Sequence, residues 1–223
     1  MTNQVKVNSV DNPSESRLPA SFFGSNARIV AQRLLGKSLV HKHKSKRLVG
    51  RIVEVEAYCD FREADLACHG SRNKGRPTKR TQIMFGEGGY SYVYLNYGIH
   101  WLFNIVTGEI GTPSAVLIRA LEPVEGHMSM AVNRNHRPKI EWTNGPGKLS
   151  MALSINQSHN GQNLCRPDSV IWVENQTELD PSLIACGPRI GLGKTPEPWH
   201  SMPWRYWIKG NQFVSANSKG TGR

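Results

Sequence analysis

Short runs with strand character follow one another closely along this chain, with few long helical patterns between them, and that spacing limits the folds open to it. The runs at 48–58 and 90–97 alternate polar and apolar residues. Those at 101–107, 115–121, 170–173 and 204–209 are short, rich in β-branched and aromatic residues, and several are bounded by glycines. A parallel sheet needs crossovers of a dozen or more residues, usually helical. The spacing therefore predicts an α+β domain around a largely antiparallel sheet. Helical signals are brief. Ser25 caps a predicted helix that runs to Leu35 and stops at Gly36, with Val30, Ala31, Leu34 and Leu35 on its apolar side. Short helices are also predicted after Gly126 and over 150–155. The basic run His41, Lys42, His43, Lys44, Lys46 and Arg47 is expected to form a hairpin turn. Residues 1–16 and 217–223 are polar and unpatterned and read as disordered tails, leaving 17–216 as a single domain without internal repeats.

The chain has 223 residues and a formal net charge of +11. That length supports a buried core without a disulfide or metal staple. The charge attracts polyanions, nucleic acid first and anionic membrane second. Its four cysteines include no C-x-x-C pair and read as reduced. The amino-terminal stretch lacks the apolar segment of a signal peptide, and no run is long and apolar enough to span a membrane. An intracellular protein is expected: cytoplasmic, at the nucleoid, if bacterial, and nuclear if eukaryotic.

Within Arg51-Ile-Val-Glu-Val-Glu-Ala-Tyr58, period two puts Ile52, Glu54, Glu56 and Tyr58 on one face and Val53, Val55 and Ala57 on the other. An isolated strand of this kind reads as a sheet with one wet face. Two carboxylates set between Ile52 and Tyr58 also suit a partly apolar pocket, where one of them would serve as a general base. Downstream, Arg72, Lys74, Arg76, Lys79 and Arg80 crowd into one loop without an acidic residue. Such a loop is either a solvated surface or a phosphate-binding arm. In the run 90–97, Tyr90, Tyr92, Tyr94 and Asn96 share a face, as core aromatics or as a stacking platform for bases. Tyr97 stands in an Asn-Tyr-Gly turn and is expected to project outward like a wedge. Asn104 and Arg119 are polar residues in apolar runs, so each needs a buried partner or a cavity. Cys59, Cys68 and His69 fall short of any zinc motif, and no metal or other cofactor is expected. Gly193-Lys194-Thr195 lacks the first glycine of a phosphate loop and is followed by prolines, and Gly145-Pro146-Gly147-Lys148 has no preceding apolar strand.

Taken in order, Arg51-Ile-Val-Glu-Val-Glu-Ala-Tyr58, Cys68-His69, Tyr92-Val-Tyr-Leu-Asn-Tyr-Gly98, Asn104, Leu117-Ile-Arg-Ala-Leu-Glu-Pro123, Asn144-Gly-Pro-Gly-Lys-Leu149 and Arg189-Ile-Gly-Leu-Gly193 resemble the alkyladenine (3-methyladenine) DNA glycosylase family of the mammalian type. The resemblance runs from about Arg17 to Val214. It implies a curved antiparallel sheet with peripheral short helices, and a protruding β-hairpin that enters the minor groove. By position, Glu56 matches the family's general base and Arg119 the arginine that helps place the water. Tyr58, His69 and Tyr94 match the residues that sandwich an extruded base, and Tyr97 matches the wedge. Asn104 matches the residue that excludes guanine, and Leu192 falls in a segment that lines the pocket. The stretch from Tyr58 to His69 is longer than the family's pattern, and Asn96 is polar where the family often places an apolar residue.

The function implied is monofunctional excision of alkylated or deaminated purines (3-methyladenine, 7-methylguanine, hypoxanthine and ethenoadenine) from double-stranded DNA, without strand cleavage. A monomer that binds no membrane is the simplest form for such an enzyme. The same basic loop and tyrosines would also serve a non-catalytic nucleic-acid-binding module. A third possibility is an enzyme of small-molecule metabolism on this scaffold, which would lack salt-dependent affinity for DNA.

Overall fold

Antiparallel ladders connect every neighbouring pair of strands in this protein, as the close spacing of its strand-like runs requires. A computed structural model describes residues 17–60, 62 and 65–215. The predicted tails at 1–16 and 217–223 lie outside the described residues. The elements are α1 (Ala20–Phe23), α2 (Ala27–Leu34), β1 (Ser38–His43), β2 (Lys46–Tyr58), β3 (Ser91–Asn96), β4 (His100–Thr107) and β5 (Ser114–Glu125), then α3 (His127–Asn133), α4 (Pro146–Ala152), β6 (Ile171–Glu174), β7 (Ile184–Gly187) and β8 (Arg205–Ile208). The strands lie in the order β3-β4-β5-β2-β1-β6, and the β7–β8 pair joins β2 beyond β1. No helix among the described residues is long and apolar enough to cross a membrane.

The long strand β2 organises the sheet. It pairs with β1 over its first half, with β8 through Glu54, Val55 and Glu56, and with β5 along nearly its whole length. Its ladder with β5 breaks register between Val49 and Gly50, between Ile52 and Glu54, and between Glu54 and Val55. Each such irregularity bends and twists a strand locally, so the sheet curls. One face packs under α2, whose Val30, Ala31 and Leu34 meet Ile52, Val53, Val55, Ile118 and Leu121 in the main core, all fully buried or nearly so. On the other face the long β2–β3 connection folds back. Its Cys68 and Met84 form a second cluster with Tyr92, Val106 and Ala115. Both faces are covered, so the wet face that an isolated strand would suggest is absent: Glu54 and Glu56 are 0% exposed.

Several local expectations need correction. The cap of α2 is Asn26, whose side chain accepts from the Arg28 N–H, not Ser25. Gly36 ends the segment as predicted, with φ of 86°. The basic run is mostly strand. His43 pairs with Lys46, so the turn is only Lys44 and Ser45, with Lys44 at positive φ, and His41 points into the interior. The helix predicted over 150–155 begins earlier, at Pro146, where the missing N–H costs nothing at a first helical position.

Candidate active site

The ladders set a row of residues side by side across the curl. Tyr92 pairs with Asn104, Asn104 with Leu117, Leu117 with Glu56, and Glu56 with Arg205. Directly opposed residues of antiparallel strands project to the same side, so residues scattered over more than a hundred positions of sequence converge. Beside this row lies a cavity of about 310 Å³. Tyr58, Tyr92 and Tyr94 wall it with His69, Asn104 and Met84, and Gly191, Leu192, Gly193 and Thr195 cover one flank. Arg72, Arg80, Asn96 and Tyr97 stand at its rim, with Ala67 and Ala115 also in the lining. Gly193 and Thr195, from the segment that cannot be a phosphate loop, are thus part of this wall.

Glu56 lies behind Tyr58 rather than on the cavity surface. Its Oε2 accepts the Tyr58 hydroxyl at 2.7 Å, and its Oε1 accepts the Ile190 N–H at 2.6 Å and faces Arg119 Nη1 at 3.1 Å. Burial, and after it the Glu56 charge, raises the pKa of Tyr58 well above the usual phenol value, so Tyr58 remains a proton donor. For Arg119, burial opposes ionisation, but Glu56 and Glu54 outweigh it and raise its pKa. A carboxylate oxygen has two lone pairs. Among the described residues Oε1 meets two donors and Oε2 one, which leaves Oε2 able to accept one further hydrogen bond.

Across the cavity, His69 Nδ1 hydrogen-bonds the Tyr92 hydroxyl at 2.9 Å, and its ring meets that of Tyr94 edge-on with centroids 4.9 Å apart. Burial, with Arg80 and Arg72 nearby, lowers the His69 pKa to about 4, so the imidazole is neutral at pH 7. Arg80 lies over the Tyr94 ring at 4.6 Å and donates from Nε to the Tyr92 hydroxyl at 3.3 Å. Asn104 donates from Nδ2 to the carbonyls of Tyr92 (3.0 Å) and Leu102 (3.5 Å). Two carbonyl acceptors fix which end of the amide is nitrogen, and no donor among the described residues reaches Oδ1.

Tyr97 is at the tip of the β3–β4 hairpin. Asn96 C=O accepts the Ile99 N–H at 3.1 Å across it, and both central residues have positive φ, 50° at Tyr97 and 71° at Gly98. This is the primed turn that suits a hairpin's twist. It leaves Tyr97 86% exposed, flanked by exposed Leu95 and Ile99. The five predicted phosphate-binding residues are all solvent-exposed. Arg72 and Arg80 stand at the cavity, whereas Lys74, Arg76 and Lys79 lie on the loop beyond its lining.

One part of the site carried no local signal. Asp65 and Arg189, both fully buried in their side chains, pair at 2.7 and 2.9 Å. Asp65 also accepts the N–H groups of Cys59 and Ala67, and Arg189 donates to the Ala57 carbonyl. This pins the segment that carries Ile190 and Leu192 against the end of β2. Glu54, the other carboxylate of β2, is enclosed by donors rather than open to the cavity. Cys68 is buried, with its thiol pushed up to about 12, and donates to the Pro113 carbonyl. No group of three metal-binding side chains occurs among the described residues.

A family model described as methylpurine-DNA glycosylase matches residues 21–212. Relatives named "Putative 3-methyladenine DNA glycosylase" occur in Myxococcus xanthus, at 43% identity over 198 residues (89% of this chain, 93% of the relative), and in Desulfitobacterium hafniense, at 41% over 207 residues (89% and 98%). A third, from Francisella tularensis, is 44% identical over 186 residues (83% and 91%). With a family match spanning nearly the whole described chain and relatives alike over almost their full lengths, the chain belongs to the methylpurine-DNA glycosylase family of hydrolytic DNA glycosylases.

Proposed function

We propose that the cavity receives a damaged purine swung out of double-stranded DNA, and that Glu56 and Arg119 direct hydrolysis of its N-glycosidic bond. The observation that carries this reading is the hydrogen bond from Tyr58 to Glu56, which joins an aromatic wall to a buried carboxylate. A base within a duplex cannot be reached at its glycosidic bond, and extrusion costs a few kcal/mol, least for damaged or mismatched pairs. Tyr97 fills the vacated stack, and phosphate contacts from Arg72, Lys74, Arg76, Lys79 and Arg80 offset the rest of that cost. Tyr58, His69 and Tyr94 hold the base, with Leu192 on the flank and Asn104 rejecting undamaged guanine.

The bond to the base breaks with its electron pair leaving on the purine. Water adds to C1′ and gives its proton to Glu56, whose negative charge also stabilises the developing cationic sugar. The relatives' names point to 3-methyladenine, and 7-methylguanine shares its cationic character. A cation between tyrosine faces gains roughly 0.5–2 kcal/mol. Hypoxanthine and ethenoadenine are neutral, need a proton to leave, and are released more slowly. No lysine is among the described residues lining the cavity, which argues against a Schiff base and strand cleavage. The enzyme acts as a monomer.

Glu56→Gln tests the assignment. Excision from a lesion-bearing duplex falls by about 10²–10⁴-fold or more, while affinity for the duplex persists. Unchanged excision refutes the catalytic role and leaves a nucleic-acid-binding module.

A further inference from the structure

The two carboxylates of β2 have different partners and so different work. Glu54 takes four hydrogen bonds: Oε1 accepts Arg119 Nε–H at 3.1 Å, Arg205 Nη1–H at 3.3 Å and the Ser215 hydroxyl at 2.9 Å, and Oε2 accepts the Ser215 N–H at 2.8 Å. It is 0% exposed, and its donors come from β5, from β8 and from the chain segment after β8. Arg119 is thus held at one end by Glu54 through Nε while Nη1 faces Glu56 at 3.1 Å. Arg205 stands opposite Glu56 in the β2–β8 ladder and donates from Nε to the Pro188 carbonyl, two residues before Ile190. Two carboxylates and two guanidiniums therefore form one buried, charge-balanced cluster; Tyr58 and the Asp65–Arg189 ion pair also face Glu56 and are unaltered by changes at Glu54 or Arg205, and only Glu56 adjoins the cavity wall.

We infer that Glu54 is a positioning residue: by fixing Arg119 and balancing its charge, together with Arg205 and Ser215, it sets the orientation and the acidity of Glu56. The inference rests on Glu56 being the base. A carboxylate this enclosed has no route to substrate, but its charge decides the field in which Glu56 ionises. Removing it leaves one guanidinium uncompensated within reach of Glu56, which favours the ionised form of the base. Removing the Arg205 charge does the reverse.

The experiment is single-turnover excision of 7-methylguanine from a duplex, measured against pH. This base is already a cation, so its departure needs no added proton and the acid limb of the profile belongs to the enzyme. Glu54→Gln lowers the maximal rate about 10- to 100-fold, as loss of the partner that orients a working side chain typically does. It also moves the acid limb down by about one pH unit. Arg205→Met moves the limb up. A purely structural role would reduce the active fraction and leave the limb in place for both variants. That result overturns the inference, as does a wild-type rate in Glu54→Gln. Should a single variant fail to fold, Glu54→Gln/Arg205→Met, which leaves no buried charge unpaired, carries the test. Its acid limb is compared with that of the single variant that folds: about one pH unit below Arg205→Met, or above Glu54→Gln, and a limb shared with that single variant refutes the proposal. Glu56→Gln run alongside separates the two claims. If it retains activity, the base assignment itself fails. If it is inactive and the Glu54 variants behave as wild type, only the positioning role fails.

Discussion

Lowering the pH is predicted to unfasten the wall that carries Tyr92 and Tyr94, through two buried histidines that do not line the cavity. His41 donates from Nδ1 to the Leu153 carbonyl at 2.6 Å, and its Nε2 meets His159 Nε2 at 3.0 Å. His159 Nδ1 in turn accepts the Asn156 N–H. A carbonyl only accepts and a backbone N–H only donates, so this chain closes with both rings neutral and one proton between them. A second proton would set two N–H groups against each other. The loop holding His159 lines the free edge of β3: Ser91 Oγ donates to the His159 carbonyl, and Val93 N–H donates to Asn160. Burial, with His159 and His43 nearby, lowers the His41 pKa from 6.5 to about 4.

Below pH 6.5 the unfolded chain therefore binds a proton that the folded protein refuses. The stability contributed is full above 6.5, declines as pH falls, and is lost below about 4. A drop of that size corresponds to about 3 kcal/mol, a large part of the 5–15 kcal/mol typical of a domain. Urea unfolding at pH 7.5, 6, 5 and 4 should show wild type losing about 3 kcal/mol more than His41→Phe, whose absolute stability is lower throughout but which has no imidazole to protonate at this position. Parallel pH slopes for the two proteins would refute the reasoning.

Asp65→Ala leaves Arg189 buried without its counter-charge and should destabilise by about 3–5 kcal/mol, read as a fall in urea midpoint; a loss below about 1 kcal/mol would mean that the pair is not holding the 188–192 segment. Tyr97→Ala removes a side chain that is 86% exposed, so stability should stay within about 0.5 kcal/mol while lesion excision and affinity for lesion duplex fall together. Gly70→Ala brings a Cβ within 2.3 Å of Pro113 Cβ, and a clash of that kind costs about 1–3 kcal/mol and shifts the neighbouring His69, which a thermal melt and excision kinetics would both register. Duplex affinity should drop steeply between roughly 50 and 200 mM salt, and replacing Lys74, Arg76 and Lys79 by Ala should flatten the log–log slope by about 0.9 for each phosphate left without its cation; an unchanged slope places the DNA elsewhere.

The alternation of the 51–58 and 90–97 runs was enough to group Glu56 with Tyr58 and Tyr92 with Tyr94, but it failed at Ile52, which packs in the main core with Val53 and Val55 where the β2–β5 ladder shifts register. Tyr97 was legible because a large residue before glycine in a tight turn has nowhere to go but out. The first strand was harder. Its residues 41–43 are basic and look like a turn, and only the buried partner His159, more than a hundred positions away, gives His41 a reason to face inward. Asp65 and Arg189 likewise lie in irregular segments, where no periodicity signals burial. Glu54 looks like Glu56 in sequence; what separates them is Arg205 and Ser215, brought in by β8 and the chain end. The start of the helix at Pro146 was masked by Gly145 just before it and Gly147 within it.

The row that runs from Tyr92 through Asn104, Leu117 and Glu56 to Arg205 also limits how such a protein can change. Side chains alternate sides along a strand, so deleting a single residue within β4, β5 or the second half of β2 would turn one member of the row to the opposite face and break the set. The loop bearing Lys74, Arg76 and Lys79 is under no such restriction and can lengthen or shorten without disturbing the chemistry. Interior strand lengths are therefore the heritable dimension of this cavity, and the basic loop is the part left free to drift.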